Sequence, residues 1–175
     1  SNDTQDSVPA SDPLFLTSLP FAQSNYLLVD LETSGLEPAR DQIIQLAALR
    51  VTNGTPTLLR SWYFQCDDRL LTSSLRRTLQ LTDEMVAQIT AAPPIDDVWQ
   101  EVRAFLADSV LVIHNARFDT AFLYHHDPDF ANSVVDTMEL ALLVAPAAPR
   151  HNLSTLASFF GIDIDALDTS TITGL

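Results

Sequence analysis

Residues Tyr26-Leu27-Leu28-Val29-Asp30-Leu31-Glu32-Thr33-Ser34-Gly35 constrain the fold more than any other stretch of this chain. Four apolar residues run directly into an acid, an apolar residue and a second acid, and the run breaks at Thr-Ser-Gly. That pattern predicts a buried strand ending in a turn, with Asp30 and Glu32 at its exposed end. Side chains two apart on a strand share a face, with Cα atoms roughly 6.5 Å apart. Both carboxylates can therefore converge on one divalent cation while Leu31 packs the other way. Hard oxygen ligands suit Mg2+ or Mn2+ better than zinc. Surface strands also produce an Asp-x-Glu by chance, so the rest of the chain carries the argument.

A chain of 175 residues, 46% of them apolar, has room for one domain with a substantial core. No window is apolar enough for a membrane span, and the N-terminus has neither the basic nor the apolar part of a signal peptide. The expectation is a soluble, cytoplasmic protein with no membrane partner. The chain does not open on Met and Ser1-Asn2 looks like a remnant, so a piece of something longer is expected. The single Cys66 lies in an apolar-aromatic run, which excludes an internal disulfide and predicts a packed thiol. The net charge is −14 and all nine basic residues are Arg. Such a balance argues against a broad basic face for duplex DNA, whose affinity rests on many phosphate contacts. It still allows a nuclease that grips a few nucleotides at a metal site.

Residues 1–22 are rich in Ser, Asp, Pro and Gln and read as a flexible tail or linker, leaving 23–175 as one domain. After the opening strand, Gly35 and Pro38 mark a loop. Ile43 to Val51 reads as a second strand, Asn53-Gly54 as a hairpin turn, and Thr57 to Cys66 as the returning strand. Three such strands make an antiparallel meander. Thr82 then caps a short helix that ends at Ala92-Pro93-Pro94, and a second helix runs from about Ile95 to Asp108 with Val98, Val102, Phe105 and Leu106 on one stripe. Val110 to Ile113 is a further buried strand ending at His114-Asn115. Asn115 is placed to cap a helix carrying Phe118, Ala121, Phe122 and Leu123. A short strand at Val134-Val135-Asp136, a helix over Thr137 to Val144, and a helix near Leu153 to Phe160 stopped by Gly161 complete the pattern. A meander followed by strand-helix alternation predicts an α/β fold, a mixed sheet flanked by helices, with the ligand crevice at the strand ends.

Asp119 lies one turn inside the helix that begins after Asn115, so it too projects towards the strand ends. With Asp30 and Glu32 it would build much of a two-cation site of the kind that cleaves phosphodiesters. Other polar clusters have simpler readings. His125-His126 with Asp127 and Asp129 reads as a solvated helix end, because adjacent His residues diverge on a helix. Asp67-Asp68 is a strand-end turn, Asp96-Asp97 a helix N-terminus and Arg76-Arg77 a solvated loop. Asp136 lines the cleft without being a ligand.

Val29-Asp30-Leu31-Glu32-Thr33-Ser34-Gly35-Leu36, followed by Gln42 to Ala48, resembles the first motif of the DnaQ-like, DEDD-type 3′→5′ exonucleases. His114-Asn115-Ala116-Arg117-Phe118-Asp119 resembles their second motif. Leu81 to Val86, Ala92-Pro93-Pro94 and Val135-Asp136-Thr137 resemble the landmarks between and after, and the match runs in order from about residue 25 to 162. Within the family it looks most like proofreading exonuclease subunits and exonuclease domains fused to a helicase. The resemblance implies an RNase H-like fold and metal-dependent removal of nucleotides from a single-stranded 3′ end. It implies Asp30 and Glu32 as ligands of the nucleophile-activating metal, with Asp30 bridging to a second metal held by Asp119. It also implies Thr33, Gly35, Leu36, His114, Asn115 and Phe118 as substrate contacts, and a helicase or polymerase as partner.

The third motif of that family, H-x-x-x-x-D, is not evident. His151 precedes the last helix, whereas the family's His follows it. The best local fit places Ile164 where the His belongs and Thr169 where the Asp belongs. Ile has no proton acceptor and Thr no charge to hold a metal. Three explanations stay open: a degenerate site in a catalytically inactive nucleic-acid- or protein-binding domain, Asp168 standing in for the Asp, or a true motif lying beyond Leu175.

Overall fold

The computed structural model describes residues 24–163. The hairpin forms where the turn chemistry placed it. Strand β1 (Tyr26–Thr33) pairs antiparallel with β2 (Ile43–Thr52), which returns through Asn53-Gly54 into β3 (Thr55–Tyr63). Asn53 and Gly54 both take positive φ, 50° and 74°, as a two-residue turn matched to strand twist requires. Strand β4 (Leu111–Ile113) adds to the other edge of β1 in parallel, and β5 (Val134–Asp136) adds parallel to β4. The sheet order is β3-β2-β1-β4-β5, the mixed sheet expected from the meander and the alternation that follows it.

The alternation in β1 decides which side becomes core. Leu27, Val29 and Leu31 are buried with Leu46, Ala48, Leu111 and Ile113. Against them pack Trp99, Val102 and Leu106 of helix α3 (Ile95–Leu106), and Phe122 and Leu123 of helix α4 (Ala116–His126). Leu28, Asp30 and Glu32 point to the opposite face, where Leu28 remains exposed, so the buried strand expected here is buried chiefly on its Leu27-Val29-Leu31 face. The stripe of α3 packs as expected and is wider by one residue: Val102 and Leu106 are buried, Val98 and Phe105 partly buried against the core, and Trp99 is buried beside them. In α4, Ala121 faces solvent instead of the core.

Helix α1 (Ser73–Thr78) was not expected. Thr72 caps it, and Arg76-Arg77, read as a loop, form its last turn, where cations favour the helix dipole. Helix α2 (Asp83–Ala91) is capped by Thr82, whose side chain accepts from the Met85 amide, with Asp83 and Glu84 in the first turn. Helices α5 (Thr137–Val144) and α6 (Leu153–Phe159) meet in a small cluster of Ala141, Ala145, Ala148 and Leu156. Gly161, at φ 71°, ends α6: its N–H donates to the Ser158 carbonyl, and that of Ile162 to the Ala157 carbonyl. That pairing is the reciprocal closure a left-handed glycine permits. No helix among the described residues is long and apolar enough to cross a membrane.

Candidate active site

β1 runs past the end of β4. Its ladder with β4 covers Leu27 and Leu28, and the Leu27 N–H donates to the Val110 carbonyl. Two alternate positions further along, the Leu31 N–H has no strand beside it and donates instead to Asp119 Oδ1, at 3.0 Å. That bond fixes the Asp119 carboxylate against the peptide between Asp30 and Glu32. A slip in register at Glu32/Thr33, where Ile44 is passed over on β2, gives the strand end its local twist.

The loop after β1 is tied to itself. Thr33 Oγ1 donates to the Gly35 carbonyl at 2.7 Å, and the Asp41 carboxylate accepts from the Glu37 N–H at 2.9 Å and from Ser34 Oγ at 3.5 Å. Gly35 is where Asp41 passes over the chain: a Cβ there would stand 2.4 Å from the Asp41 carboxyl group. Leu36, in the loop that follows β1, is 80% exposed, an apolar side chain presented to solvent.

Asp119 sits in the first turn of α4 and is only 4% exposed. The residue expected to cap that helix does not. Asn115 adopts a left-handed conformation (φ 60°, ψ 50°) with no side-chain capping bond. Its N–H and that of Ala116 turn towards Asp136, which accepts them at Oδ1 (3.0 Å) and Oδ2 (2.9 Å). Asp136 is thus more than the cleft lining expected of it: it is the cap of α4, supplied from β5. His114, the last residue before that turn, bonds Thr137 Oγ1 through Nδ1 at 3.0 Å, and its Nε2 is buried with no partner among the described residues.

The electrostatics tie the three acids together. Asp119 is pushed up to about 7, first by burial and then by the charges of Asp30 and Glu32, against the pull of the Leu31 N–H. Burial also raises Asp30, and burial together with the Asp30 charge raises Glu32. Asp30 is nonetheless exposed and Glu32 half-buried, so the mouth of the site is open to solvent. Among the described residues, no three Asp, Glu, His or Cys side chains stand together closely enough to hold a metal ion as they are placed. The donor set still fits a hard divalent cation. All three side chains offer carboxylate oxygens, Asp30 and Glu32 from the free end of β1 and Asp119 from α4 against it, and their repulsion is what a bound cation would relieve.

Of the other predicted site residues, Phe118 is half-buried against Phe122, with ring centroids 5.2 Å apart. Asp168, and the Ile164 and Thr169 of the third-motif fit, lie outside the described residues. His151 bonds the Ala145 carbonyl through Nε2 at 3.2 Å, a local contact ahead of α6. Cys66 is a packed thiol, and burial together with neighbouring acids pushes it up to about 11. The solvated helix end expected at residues 125–129 holds for His125 and Asp129, which are exposed, but not for Asp127, which is buried in a polar network. Asp127, 7% exposed, accepts from Trp99 Nε1 at 2.9 Å and pairs with Arg103 at 3.3 Å, while His126 stands edge-on to the Trp99 ring. An indole with a polar tip needs an acceptor when buried, and the nearest in space is 28 residues away in sequence. No local pattern flagged that pair or the Asp136 cap.

A mixed five-stranded sheet with carboxylates at the free end of its central strand defines an RNase H-like, exonuclease-type domain. The RNase T model of the exonuclease family matches residues 27–167, and the chain belongs to that DnaQ-like family of 3′→5′ exonuclease domains. It is 34% identical over 151 residues to the PolC-type DNA polymerase III of Halalkalibacterium halodurans, across 83% of this chain and 10% of that protein. It is 32% identical over 148 residues to the PolC-type enzyme of Bacillus subtilis, across 81% and 10%. The chain therefore spans about a tenth of the length of these relatives. Among solved structures, it superposes on exonuclease X in complex with 5′ overhanging duplex DNA (TM-score 0.63, 22% identity, 81% of this chain and 76% of that one). It also superposes on product-bound exonuclease I (TM-score 0.63, 20% identity, 81% and 39%). At those identities the two structures establish the RNase H-like exonuclease fold, as the sequence predicted.

Proposed function

We propose that this domain removes nucleotides from a single-stranded 3′ end, using Asp30, Glu32 and Asp119 to hold Mg2+ or Mn2+. The observation that carries the reading is the Asp119 carboxylate anchored on the Leu31 amide, between the two β1 acids, where the charges of Asp30 and Glu32 add to burial in raising Asp119 and that of Asp30 adds to burial in raising Glu32. A structure with no use for cations has no reason to gather three like charges at a strand end. When bound, a pair of divalent cations supplies water activation and stabilises the leaving oxygen.

The chain's own residues do the rest. β1 sets the spacing of Asp30 and Glu32, and α4 presents Asp119 from the side. Leu36 offers an apolar surface on which the terminal base can pack, and Thr33 and Gly35 hold the loop that positions it. His114 and Asn115, just before α4, and Phe118, in its first turn, are the further residues that would contact the 3′ nucleotide. The share of PolC-type polymerases to which the chain is similar supports a proofreading context, with a polymerase as partner in the same or another chain. A net charge of −14 with no Lys supports a grip on a few nucleotides at the site rather than a long basic track.

The second reading is a non-catalytic domain of the same fold that binds nucleic acid or protein. It is favoured by the best local fit of the sequence, which lays Ile164 and Thr169 where the family's third motif carries a proton acceptor and a carboxylate. Incubation of a 3′-labelled single-stranded oligonucleotide with Mg2+ or Mn2+, beside an Asp30→Ala control, separates the two. Time-dependent shortening absent from the control establishes the enzyme, and intact substrate at high protein concentration leaves the binding domain.

A further inference from the structure

We infer that Asp136 is a positioning residue for the metal site: its carboxylate clamps the N-terminus of α4 and so sets where Asp119 meets β1. The inference rests on the reading of Asp119 as a ligand.

Asp136 is the last residue of β5, paired in register with Ile113 at the end of β4, so the strand ladder carries its side chain to the turn that follows β4. In that turn Asn115 is left-handed and Ala116 helical, a sequence of conformations that points successive N–H groups into one concavity suited to an anion. The Asp136 carboxylate fills it. Oδ2 accepts from Ala116 N at 2.9 Å, and Oδ1 accepts from Asn115 N at 3.0 Å and from Met138 N at 2.8 Å. One side chain therefore joins three backbone amides on two helices, α4 and α5. Its neighbour Thr137 adds a second tie through His114 Nδ1 and, at 3.4 Å, the Ile113 carbonyl. Nothing on α4 itself performs this task, since Asn115 makes no capping bond.

Asp119 lies three residues beyond Ala116, less than one helical turn. A shift of the helix start is passed on almost undiminished to the Asp119 carboxylate and to its 3.0 Å bond with the Leu31 N–H. Groups that orient a metal ligand from behind typically alter metal affinity about 10- to 100-fold when removed.

Two variants separate this role from simple capping. Asp136→Asn keeps the shape and Oδ1 but turns an NH2 group onto the Ala116 N–H. Asp136→Ser retains a short acceptor for the Met138 amide of α5 but cannot reach α4. Asn152→Ala removes the cap of α6, where Asn152 accepts from Thr155 N at 2.9 Å, and serves as a control for a lost cap elsewhere. The readouts are Mn2+ affinity by calorimetry and the amide resonance of Leu31, with Asp119→Asn marking the resonance of a broken Leu31–Asp119 bond. Both Asp136 variants are expected to weaken Mn2+ binding at least about tenfold and to move the Leu31 resonance towards its Asp119→Asn position, while Asn152→Ala changes neither. An unchanged Leu31 resonance and unchanged Mn2+ affinity in folded Asp136→Ser would overturn the inference. If wild type binds no Mn2+, the reading of the site fails, and the Leu31 resonance alone still decides whether Asp136 sets the position of Asp119.

Discussion

Asp119 is a carboxylate nearly closed off from water and facing two others, so its proton becomes part of the stability of the metal-free protein. Its folded-state value is raised to about 7 from an ordinary 3.8, so between those values the native state binds more protons than the unfolded one. The stability it lends is full below about pH 4 and is lost as pH climbs through about 7. Metal-free protein should melt several degrees higher at pH 5.5 than at pH 8, and Asp119→Asn should flatten that dependence; thermal melts across the pH range check it. The same substitution should cut any metal-dependent digestion at least about 100-fold, measured as initial rates on a single-stranded oligonucleotide. At Gly35 the cost is steric. Gly35→Ala would push the Asp41 carboxylate off the Glu37 amide, and with one such bond lost we expect about 1 kcal/mol of destabilisation in a urea titration. Asp30, Glu32 and Asp119 could be singled out in the chain because acids at the end of an apolar run are a local signal. The Leu31 amide that anchors Asp119 could not, since every residue has one and only the early end of β4 leaves this one free.

At the scale of the elements, boundaries followed local chemistry wherever that chemistry was self-contained. Asn53-Gly54 made its hairpin, Thr82 capped α2, and Gly161 closed α6. Because a Cβ at Gly161 would meet nothing within 4 Å, the cost of Gly161→Ala is conformational alone, about 1 kcal/mol from the left-handed φ of 71°. Equilibrium unfolding of that variant should shift its midpoint without changing the m-value. Expectations departed from the structure where an element's end is completed by a distant one. Asn115 carries the right side chain for a cap, yet a carboxylate from β5 takes its place, because the left-handed turn aims two amides at Asp136. The end of α4 behaves likewise: Asp127 turns inward to satisfy Trp99 Nε1 and Arg103. Asp127→Ala would strand the buried indole N–H, and we expect a loss of about 2 to 3 kcal/mol, read from chemical denaturation, with Asp127→Asn retaining part of it.

For the whole molecule, the mixed sheet turns three separated segments into one charged mouth. Cations should therefore act as a ligand of the folded state. Millimolar Mg2+ or Mn2+ should raise the melting temperature more at pH 8 than at pH 6, where the ion must displace a proton from Asp119, and a chelator or Asp30→Ala should abolish the rise. The sequence by itself determined the alternation of β1, the meander, the order of the strands and of every described helix but α1, and the acids at the strand end, because each is written in neighbouring residues through periodicity, turn chemistry and capping. Only the tertiary structure decided which face of β1 became core, which amide would receive Asp119, and that Asp136 and Asp127 would satisfy groups on other elements. Those partners stand 20 to 88 residues apart. Sequence periodicity extends over a few residues, whereas such bonds exist only once the sheet has brought its strand ends together.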